Sequence, residues 1–206
     1  MDYDYNFGND YYKYYSDIGV KSTVYNILAP PQSQADQPGM EYLMDPLPIF
    51  DNPNYNGSGK LKDKVAIVTG GDSWLGRACS IAFVKEGAKV VIVYLDEDKD
   101  AYYTKNYIEN LGGECLLIKG DLSNHAFCKY VVDEVIKNYG KIDIIINMAC
   151  ICMDNSFLNK TKDEIMKVLE VNLVGTFLVN QIYSRYIDNG LIINMGSTDG
   201  VDTYNE

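Results

Sequence analysis

Histidine and tryptophan are almost absent from this sequence of 206 residues, which has only His125 and Trp74. A Ser-His-Asp or Cys-His hydrolase would have to use His125, and no nucleophile-elbow pattern accompanies it. We therefore interpret His125 as a surface residue of a helix. The five cysteines are scattered, and Cys150-x-Cys152 is spaced too closely for a usual zinc half-site. We predict reduced thiols and no metal site.

Positive charge is also scarce, because 18 lysines and arginines stand against 29 aspartates and glutamates, for a formal net charge of −11. Such a chain has no electrostatic attraction for nucleic acid or an anionic membrane surface. No apolar run has the length of a membrane span, and the first ten residues, MDYDYNFGND, lack the regions of a secretory signal. We expect a cytoplasmic protein without a nucleic-acid or membrane partner.

Proline occurs only between positions 29 and 53, and the first 60 residues differ from the rest. Early tyrosines stand among Asp, Asn and Lys without a helix or strand period, which indicates a mobile tail over 1–35. The proline-rich segment has too many apolar residues for a free linker, so we expect 40–56 to lie as an extended arm on the folded body. The predicted boundaries are tail and arm over 1–60 and one folded domain over 61–206.

The stretch that organises this domain is KVAIVTGGDSWLGRA, residues 64–78. Its short β-branched run predicts a buried parallel strand, and a helical pattern follows. A glycine turn between a strand and a helix places a pyrophosphate at the helix N-terminus. Gly70 would make the tight turn, and Gly76 would let the helix lie close to the strand. The predicted apolar face of the helix consists of Leu75, Ala78, Ala82 and Phe83.

Strands and helices alternate from residue 64 onward. The predicted strands are 64–69, 89–94, 115–119, 142–147 and 191–194, and the predicted helices are 74–86, 97–111, 123–138 and 161–187. Gly87 and Gly140 stand where C-cap glycines are expected, and Thr161 with Glu164 predicts a capping box. The alternation predicts an α/β fold with a parallel sheet covered on both faces.

The ligand crevice of such a sheet lies at the carboxyl ends of its strands. Asp121 follows the third strand, where it could accept a hydrogen bond from an adenine amino group or cap the next helix; both can hold. Asn147 ends the fourth strand and Asn194 the fifth. Ser197 would then face the place where the first strand holds a cofactor.

These motifs together resemble the short-chain dehydrogenase/reductase family. The matching segments are Thr69-Gly70-x-x-x-x-x-Gly76 (TGxxxGxG), Asp121-Leu122 (the adenine-site pair), Asn147-x-Ala149 (NNAG), Asn172-x-x-Gly175-x-Phe177 (N-x-x-G-x-F) and Asn194-Met195-Gly196-Ser197 (the catalytic serine segment). The match covers about 37–206, and its arm is similar to a subgroup of glucose-dehydrogenase-like oxidoreductases with an N-terminal extension. The resemblance implies a Rossmann-type doubly wound sheet of strand order 3-2-1-4-5.

The resemblance also implies a chemistry, which is NAD(P)-dependent hydride transfer between a nicotinamide and a small carbonyl or alcohol substrate. Ser197 would hydrogen-bond the substrate oxygen, and Asn172 would hold a water in the proton relay. The implied cofactor-binding residues are Gly70, Asp72, Ser73, Leu75, Gly76, Tyr94, Asp121, Leu122, Asn147 and Ala149. The intact protein would be a homo-oligomer.

The sequence departs from the family pattern at several positions. Trp74 replaces the middle glycine of the turn, and Met148 and Cys150 replace two residues of NNAG. The family's Tyr-x-x-x-Lys should follow Ser197 by about thirteen residues, so we expect a C-terminally truncated chain that lacks the later strands and is inactive alone. Two alternatives remain open: a non-catalytic dinucleotide-binding module, and an interaction protein that uses the tyrosine-rich tail.

The choice between NAD and NADP depends on the end of the second strand. Tyr94 and Leu95 occupy the positions typical of an NAD-type Asp and an NADP-type Arg, so neither decides. The acidic residues at 96–98 would repel an additional phosphate unless Lys99 or Arg77 turned inward. This favours NAD.

Overall fold

The computed structural model describes residue 34 and residues 39–197. The chain divides into two compact units, Met1–Pro31 and Gln32–Glu206, and the first lies outside the described residues. The predicted mobile tail, 1–35, lies outside them as well, apart from Gln34, whose side chain is hydrogen-bonded to the backbone of Met40.

Five parallel strands form the sheet, in the order β3-β2-β1-β4-β5. They are β1 (Val65–Thr69), β2 (Lys89–Tyr94), β3 (Cys115–Lys119), β4 (Ile144–Asn147) and β5 (Leu191–Asn194). Every residue of β1 is buried, as expected of a β-branched strand in the centre of a doubly covered sheet. The predicted fold class and strand order are confirmed, although β4 begins two residues later than predicted.

Helices cover both faces of the sheet. They are α1 (Trp74–Lys85), α2 (Asp98–Asn110), α3 (His125–Tyr139), α4 (Lys162–Val168) and α5 (Thr176–Tyr183). Side chains of α1 and α2 pack with Val68, Val90 and Ile92 on one face. Those of α3 and α5 pack with Val65, Ile67 and Val91 on the other. The alternating strand side chains thus supply two cores.

Most of the helix ends agree with the caps predicted from the sequence. Gly140 ends α3 with a left-handed φ of 76°, and Thr161 forms a full capping box with Glu164. Asn124, and not Asp121, caps α3, since its side chain accepts from the N–H groups of Ala126 and Phe127. The predicted helix 161–187 is two α-helices joined by a π-helical segment, Leu169–Gly175.

The apolar face predicted for α1 is only partly correct, because Phe83 packs against the core but Leu75 does not. Leu75 is 67% exposed, whereas Arg77, Ser80, Ile81 and Val84 are buried. Arg77 and Ser80 can occupy this face because both are hydrogen-bonded there: Ser80 Oγ donates to Gly76 O over 2.8 Å, and Arg77 Nε donates to Thr104 Oγ1 over 2.6 Å. A hydrophobicity pattern does not register polar side chains that find partners.

The segment 39–56, called the arm here, runs along α1 and α2. Its 3₁₀ turn, Glu41–Leu43, contacts α2 through the Glu41 N–H, which donates to Asp100 Oδ2 over 2.9 Å. Further along, the Phe50 ring meets Tyr107 edge-on with 5.2 Å between centroids. Asp51 pairs with Lys85 and accepts from Tyr107 Oη over 2.7 Å.

Among the described residues, one helical stretch, Lys162–Tyr183, is long and apolar enough to cross a membrane by length and composition alone. A core helix of a soluble protein passes the same test. The stretch carries exposed apolar side chains, among them Leu173 and Phe177.

Candidate functional site

The turn after β1 is closed by two glycines in contact. Gly70 adopts a left-handed φ of 64°, and its N–H donates to Val93 O over 2.7 Å, which ties the turn to β2. A Cβ on Gly76 would lie 1.8 Å from Gly70 O, so only glycine fits at this position. A Cβ on Gly70 would lie 3.0 Å from the Cα of Ala149. The turn, the start of α1 and the loop after β4 thus meet at one point.

Trp74 takes a backbone conformation that favours glycine. Its φ is 47°, in the left-handed region, which costs a non-glycine residue about 1–2 kcal/mol. Trp74 is 54% exposed, so this large residue lies partly in solvent. The Trp74 N–H donates to the Glu41 carboxylate of the arm.

Asp72 lies inside the turn and is buried. Burial, with the Glu97 carboxylate nearby, raises the pKa of Asp72 to about 6. Its carbonyl accepts from Thr104 Oγ1 over 2.6 Å and from Arg77 Nε over 3.1 Å. The half-buried Ser73 is the N-cap residue of α1, but its side chain makes no cap bond with the first turn. Backbone donors at the start of α1 therefore have no side-chain cap from Ser73.

The carboxyl end of β2 is acidic. The hydroxyl of the buried Tyr94 donates a hydrogen bond to Asp98 Oδ1 over 2.9 Å. Burial is the largest cause and this hydrogen bond the second, and both raise the pKa of Tyr94 above its usual range. Asp98 also pairs with Lys119, 2.7 Å away. Glu97 is buried beside them. Tyr94 is thus a neutral hydroxyl held by a carboxylate.

Asp121 and Leu122 lie apart from the glycine turn, at the end of β3, two strands from β1. Asp121 is exposed and accepts from the Ser123 N–H over 2.8 Å. Leu122 is buried in the core that α3 covers. The Asp121 carboxylate remains on the surface at the carboxyl edge of the sheet.

Thr69 joins the ends of β1 and β4, a role that the sequence analysis missed. The buried Oγ1 accepts from the N–H groups of Met148, over 3.0 Å, and Ala149, over 3.1 Å. It thereby holds the segment corresponding to NNAG against the glycine turn. Its position at the last residue of a buried strand was the available signal.

Three asparagines connect the ends of β4 and β5. Asn147 Nδ2 donates to Asn180 Oδ1 and to Asn194 Oδ1, each over 2.8 Å. Asn180 Nδ2 donates to Asn194 Oδ1 over 3.0 Å. Asn147 Oδ1 is buried without a hydrogen-bond partner among the described residues. Asn180, on α5, was not predicted, because a single amide on a helix gives no sequence pattern.

Asn172 lies in the π-helical segment, and Ser197 lies three residues after β5. The Asn172 side chain pairs twice with Ile151: Oδ1 accepts from the Ile151 N–H and Nδ2 donates to the Ile151 carbonyl, each over 2.9 Å. It therefore holds the loop after β4. A π-helical turn is frequently found at functional sites. Ser197 is exposed.

The described residues contain no group of His, Cys, Asp or Glu arranged to hold a metal ion. What the carboxyl edge offers is a glycine turn, a helix start that has no side-chain cap from Ser73 and whose Trp74 N–H is bound by Glu41, and polar side chains after β2, β4 and β5. This combination defines a doubly wound α/β protein of the nucleotide-binding type.

Comparison with known proteins gives the family. The short chain dehydrogenase family model matches residues 64–206. The chain belongs to the short-chain dehydrogenase family, as its motifs predicted.

Individual relatives agree with this assignment. The chain is 44% identical over 170 residues to an uncharacterized oxidoreductase, YhxC, of Bacillus subtilis, covering 82% of this chain and 59% of the relative. It is 35% identical to NADPH-dependent aldehyde reductase 1, chloroplastic, of Arabidopsis thaliana, over 82% of this chain and 61% of the relative. A crystal structure of a short chain dehydrogenase from Burkholderia cenocepacia in complex with NADP superposes with a TM-score of 0.68 at 29% identity, covering 71% of this chain and 60% of that one. The chain thus spans about three fifths of the length of these proteins.

Proposed function

We propose that this chain is the dinucleotide-binding part of an NAD(P)-dependent oxidoreductase that transfers hydride between a nicotinamide and the carbonyl carbon of a small molecule. The observation that carries the proposal is the contact of Gly76 with Gly70, because a turn so closed brings the start of α1 to the carboxyl edge of the sheet, where the ligand crevice of such a fold lies. The family match supports it.

The residues present fit a bound dinucleotide. The pyrophosphate would lie against the turn formed by Gly70, Asp72, Ser73, Leu75 and Gly76. The ribose would meet the end of β2 at Tyr94, the adenine would meet Asp121 and Leu122, and Asn147 and Ala149 would line the side of β4. When bound, the cofactor supplies or accepts the hydride.

Two polar residues would act toward the substrate. The Ser197 hydroxyl would donate a hydrogen bond to the substrate carbonyl oxygen and orient it. Asn172 would hold a water of the proton relay; because its side chain is bound to Ile151, we assign this contact to its backbone carbonyl. The 206 residues contain no Tyr-x-x-x-Lys after Ser197, the motif in which the family carries its proton donor.

For the cofactor, we favour NAD over NADP. The acidic residues Asp96, Glu97 and Asp98 follow β2, and Arg77 is buried away from solvent. NADP is the alternative, supported by the names of the Arabidopsis and Burkholderia relatives.

A non-catalytic dinucleotide-binding or interaction module is the second candidate. The glycine-to-tryptophan replacement at Trp74 favours it, since the left-handed tryptophan places an indole beside the turn.

We also propose that the intact protein is a homo-oligomer through the exposed apolar stripe on Lys162–Tyr183. The stripe consists of Ile165, Leu169, Leu173 and Phe177.

The proposal is tested by titrating the 206-residue chain with NADH and NADPH and following nicotinamide fluorescence. We expect saturable binding of at least one cofactor and its loss in Gly76→Ala, whose methyl group would collide with Gly70 O. Gly112→Ala is the control for strain away from the site, because its left-handed φ of 81° is unfavourable for alanine while a Cβ there would meet nothing within 4 Å. No binding by the wild-type chain, or equal binding by Gly76→Ala, contradicts the proposal.

A further inference from the structure

Three cationic side chains near the end of β2 could receive a phosphate, and two of them, Arg77 and Lys99, are engaged by adjacent residues of the arm. Arg77 Nη1 donates to the Glu41 carboxylate, and its Nη2 lies 3.3 Å from Asp100 Oδ1. Lys99 Nζ lies 4.5 Å from the centroid of the Tyr42 ring. The third nearby cation, Lys119, pairs with Asp98.

The Glu41 carboxylate is completely enclosed. Glu41 has no exposed surface, and its two oxygens accept from Arg77 Nη1 and from the Trp74 N–H of the glycine turn. Asp100 adds a second buried carboxylate to the same guanidinium. One positive and two negative charges give this cluster a net charge of −1, and buried charges are screened weakly by salt.

Other acidic groups lie beside the cluster. Asp72 and Glu97 are both buried, and Glu97 and the Asp100 of the cluster act electrostatically on Asp72. An additional phosphate at the end of β2 would therefore meet buried negative charge, while the cations that could offset it are bound by the arm.

We propose that Glu41 and Tyr42 of the arm are specificity-determining residues, which disfavour a dinucleotide with a 2′-phosphate by neutralising Arg77 and occupying Lys99. The inference rests on the proposed function, since it assigns a selectivity to that cofactor site. Glu41 does so through buried charge, and Tyr42 does so by holding the lysine ammonium over its ring.

The test is the ratio of dissociation constants, NADPH over NADH, measured by fluorescence titration of the 206-residue chain at physiological salt. Glu41→Gln keeps an acceptor for the Trp74 N–H but removes the charge, so we expect the ratio to fall by about fivefold or more. Tyr42→Leu releases Lys99, and we expect a fall of about twofold or more, while Tyr42→Phe keeps the ring and the wild-type ratio.

One control separates selectivity from loosening of the arm. Asp51→Asn breaks the ion pair with Lys85 elsewhere on the arm, and we expect it to leave the ratio unchanged. Tyr42 is 42% exposed, so Tyr42→Leu keeps the test valid if Glu41→Gln fails to fold. An unchanged ratio in the folded Glu41 and Tyr42 variants, with both cofactors still bound, overturns this inference alone. Failure of the wild-type chain to bind either cofactor overturns the proposed function and the inference with it.

Discussion

The hydroxyl of Thr69, at the end of β1, accepts a hydrogen bond of 3.1 Å from the N–H of Ala149, in the loop after β4. The same oxygen accepts from the Met148 N–H. One buried side chain therefore sets the position of the β4 loop against the glycine turn, where a Cβ on Gly70 would lie 3.0 Å from the Ala149 Cα. The geometry of the site depends on this link between two strand ends.

Replacing Thr69 by valine should destabilise the fold by about 1–3 kcal/mol, because two N–H groups lose their acceptor. Urea unfolding measures the change. Thr69→Ser keeps the hydroxyl and should retain most of the stability. Equal losses in the two variants would assign the effect to packing of the methyl group instead.

Replacing Trp74 by glycine should relieve the left-handed φ of 47° and stabilise the chain by about 1 kcal/mol. It should also strengthen NADH binding, because glycine lets the cofactor backbone approach the turn. Asp63→Gly is the matched control: Asp63 is exposed and has a φ of 60°, so it should gain stability without a change in affinity. Weaker binding by Trp74→Gly would show that the indole contributes to the site.

Asp72 should make stability depend on pH. Its pKa in the folded chain is about 6, against a usual 3.8, because burial disfavours the carboxylate. The folded state therefore binds more protons than the unfolded state between these two pH values. The contribution of Asp72 to the free energy of unfolding is consequently lost as pH rises through about 6. Asp72→Asn should be more stable relative to wild type at pH 7 than at pH 4, by a difference of up to about 3 kcal/mol.

The exposed Asp133 provides the control for this measurement, since Asp133→Asn should show no such difference. Thermal unfolding of the three proteins at both pH values gives the comparison. A stability difference between Asp72→Asn and wild type that does not change with pH would contradict the buried-carboxylate explanation.

Replacing Tyr183 by phenylalanine should stabilise the fold. The Tyr183 side chain is fully buried, and its hydroxyl has no hydrogen-bond partner among the described residues. Removing an unsatisfied buried hydroxyl should stabilise the chain by about 1 kcal/mol. Tyr94→Phe should have the opposite effect, because the Tyr94 hydroxyl donates to Asp98. Denaturant midpoints of the two variants and the wild type measure these changes in stability. Destabilisation by Tyr183→Phe would indicate that the Tyr183 hydroxyl has a hydrogen-bond partner.

The 206-residue chain should bind a nicotinamide cofactor without turning over a carbonyl substrate. Ser197 can orient a substrate oxygen, but these residues carry no Tyr-x-x-x-Lys after it to donate the proton. Oxidation of NADH or NADPH in the presence of aldehydes, ketones and sugars should therefore equal the blank. Turnover above the blank would require a different proton donor.

The sequence alone predicted the order of strands and helices and the glycine turn, because these depend on local properties. A β-branched run such as Val65–Val68 favours a buried strand, and only glycine tolerates the crowding at position 76. The family motifs likewise lie in short contiguous segments, which is why they can be recognised without coordinates.

Tertiary structure decided which polar groups are buried and what they bind. The sequence analysis considered Arg77 only as a side chain that could turn inward to a phosphate, yet it is buried against Glu41, 36 residues earlier. Leu75 was expected in the core, yet it is exposed, since hydrogen-bonded Arg77 and Ser80 take the inner face of α1. A buried polar side chain depends on a partner that is distant in sequence. The contact between Glu41 and Arg77 forms only when the arm packs on α1 and α2.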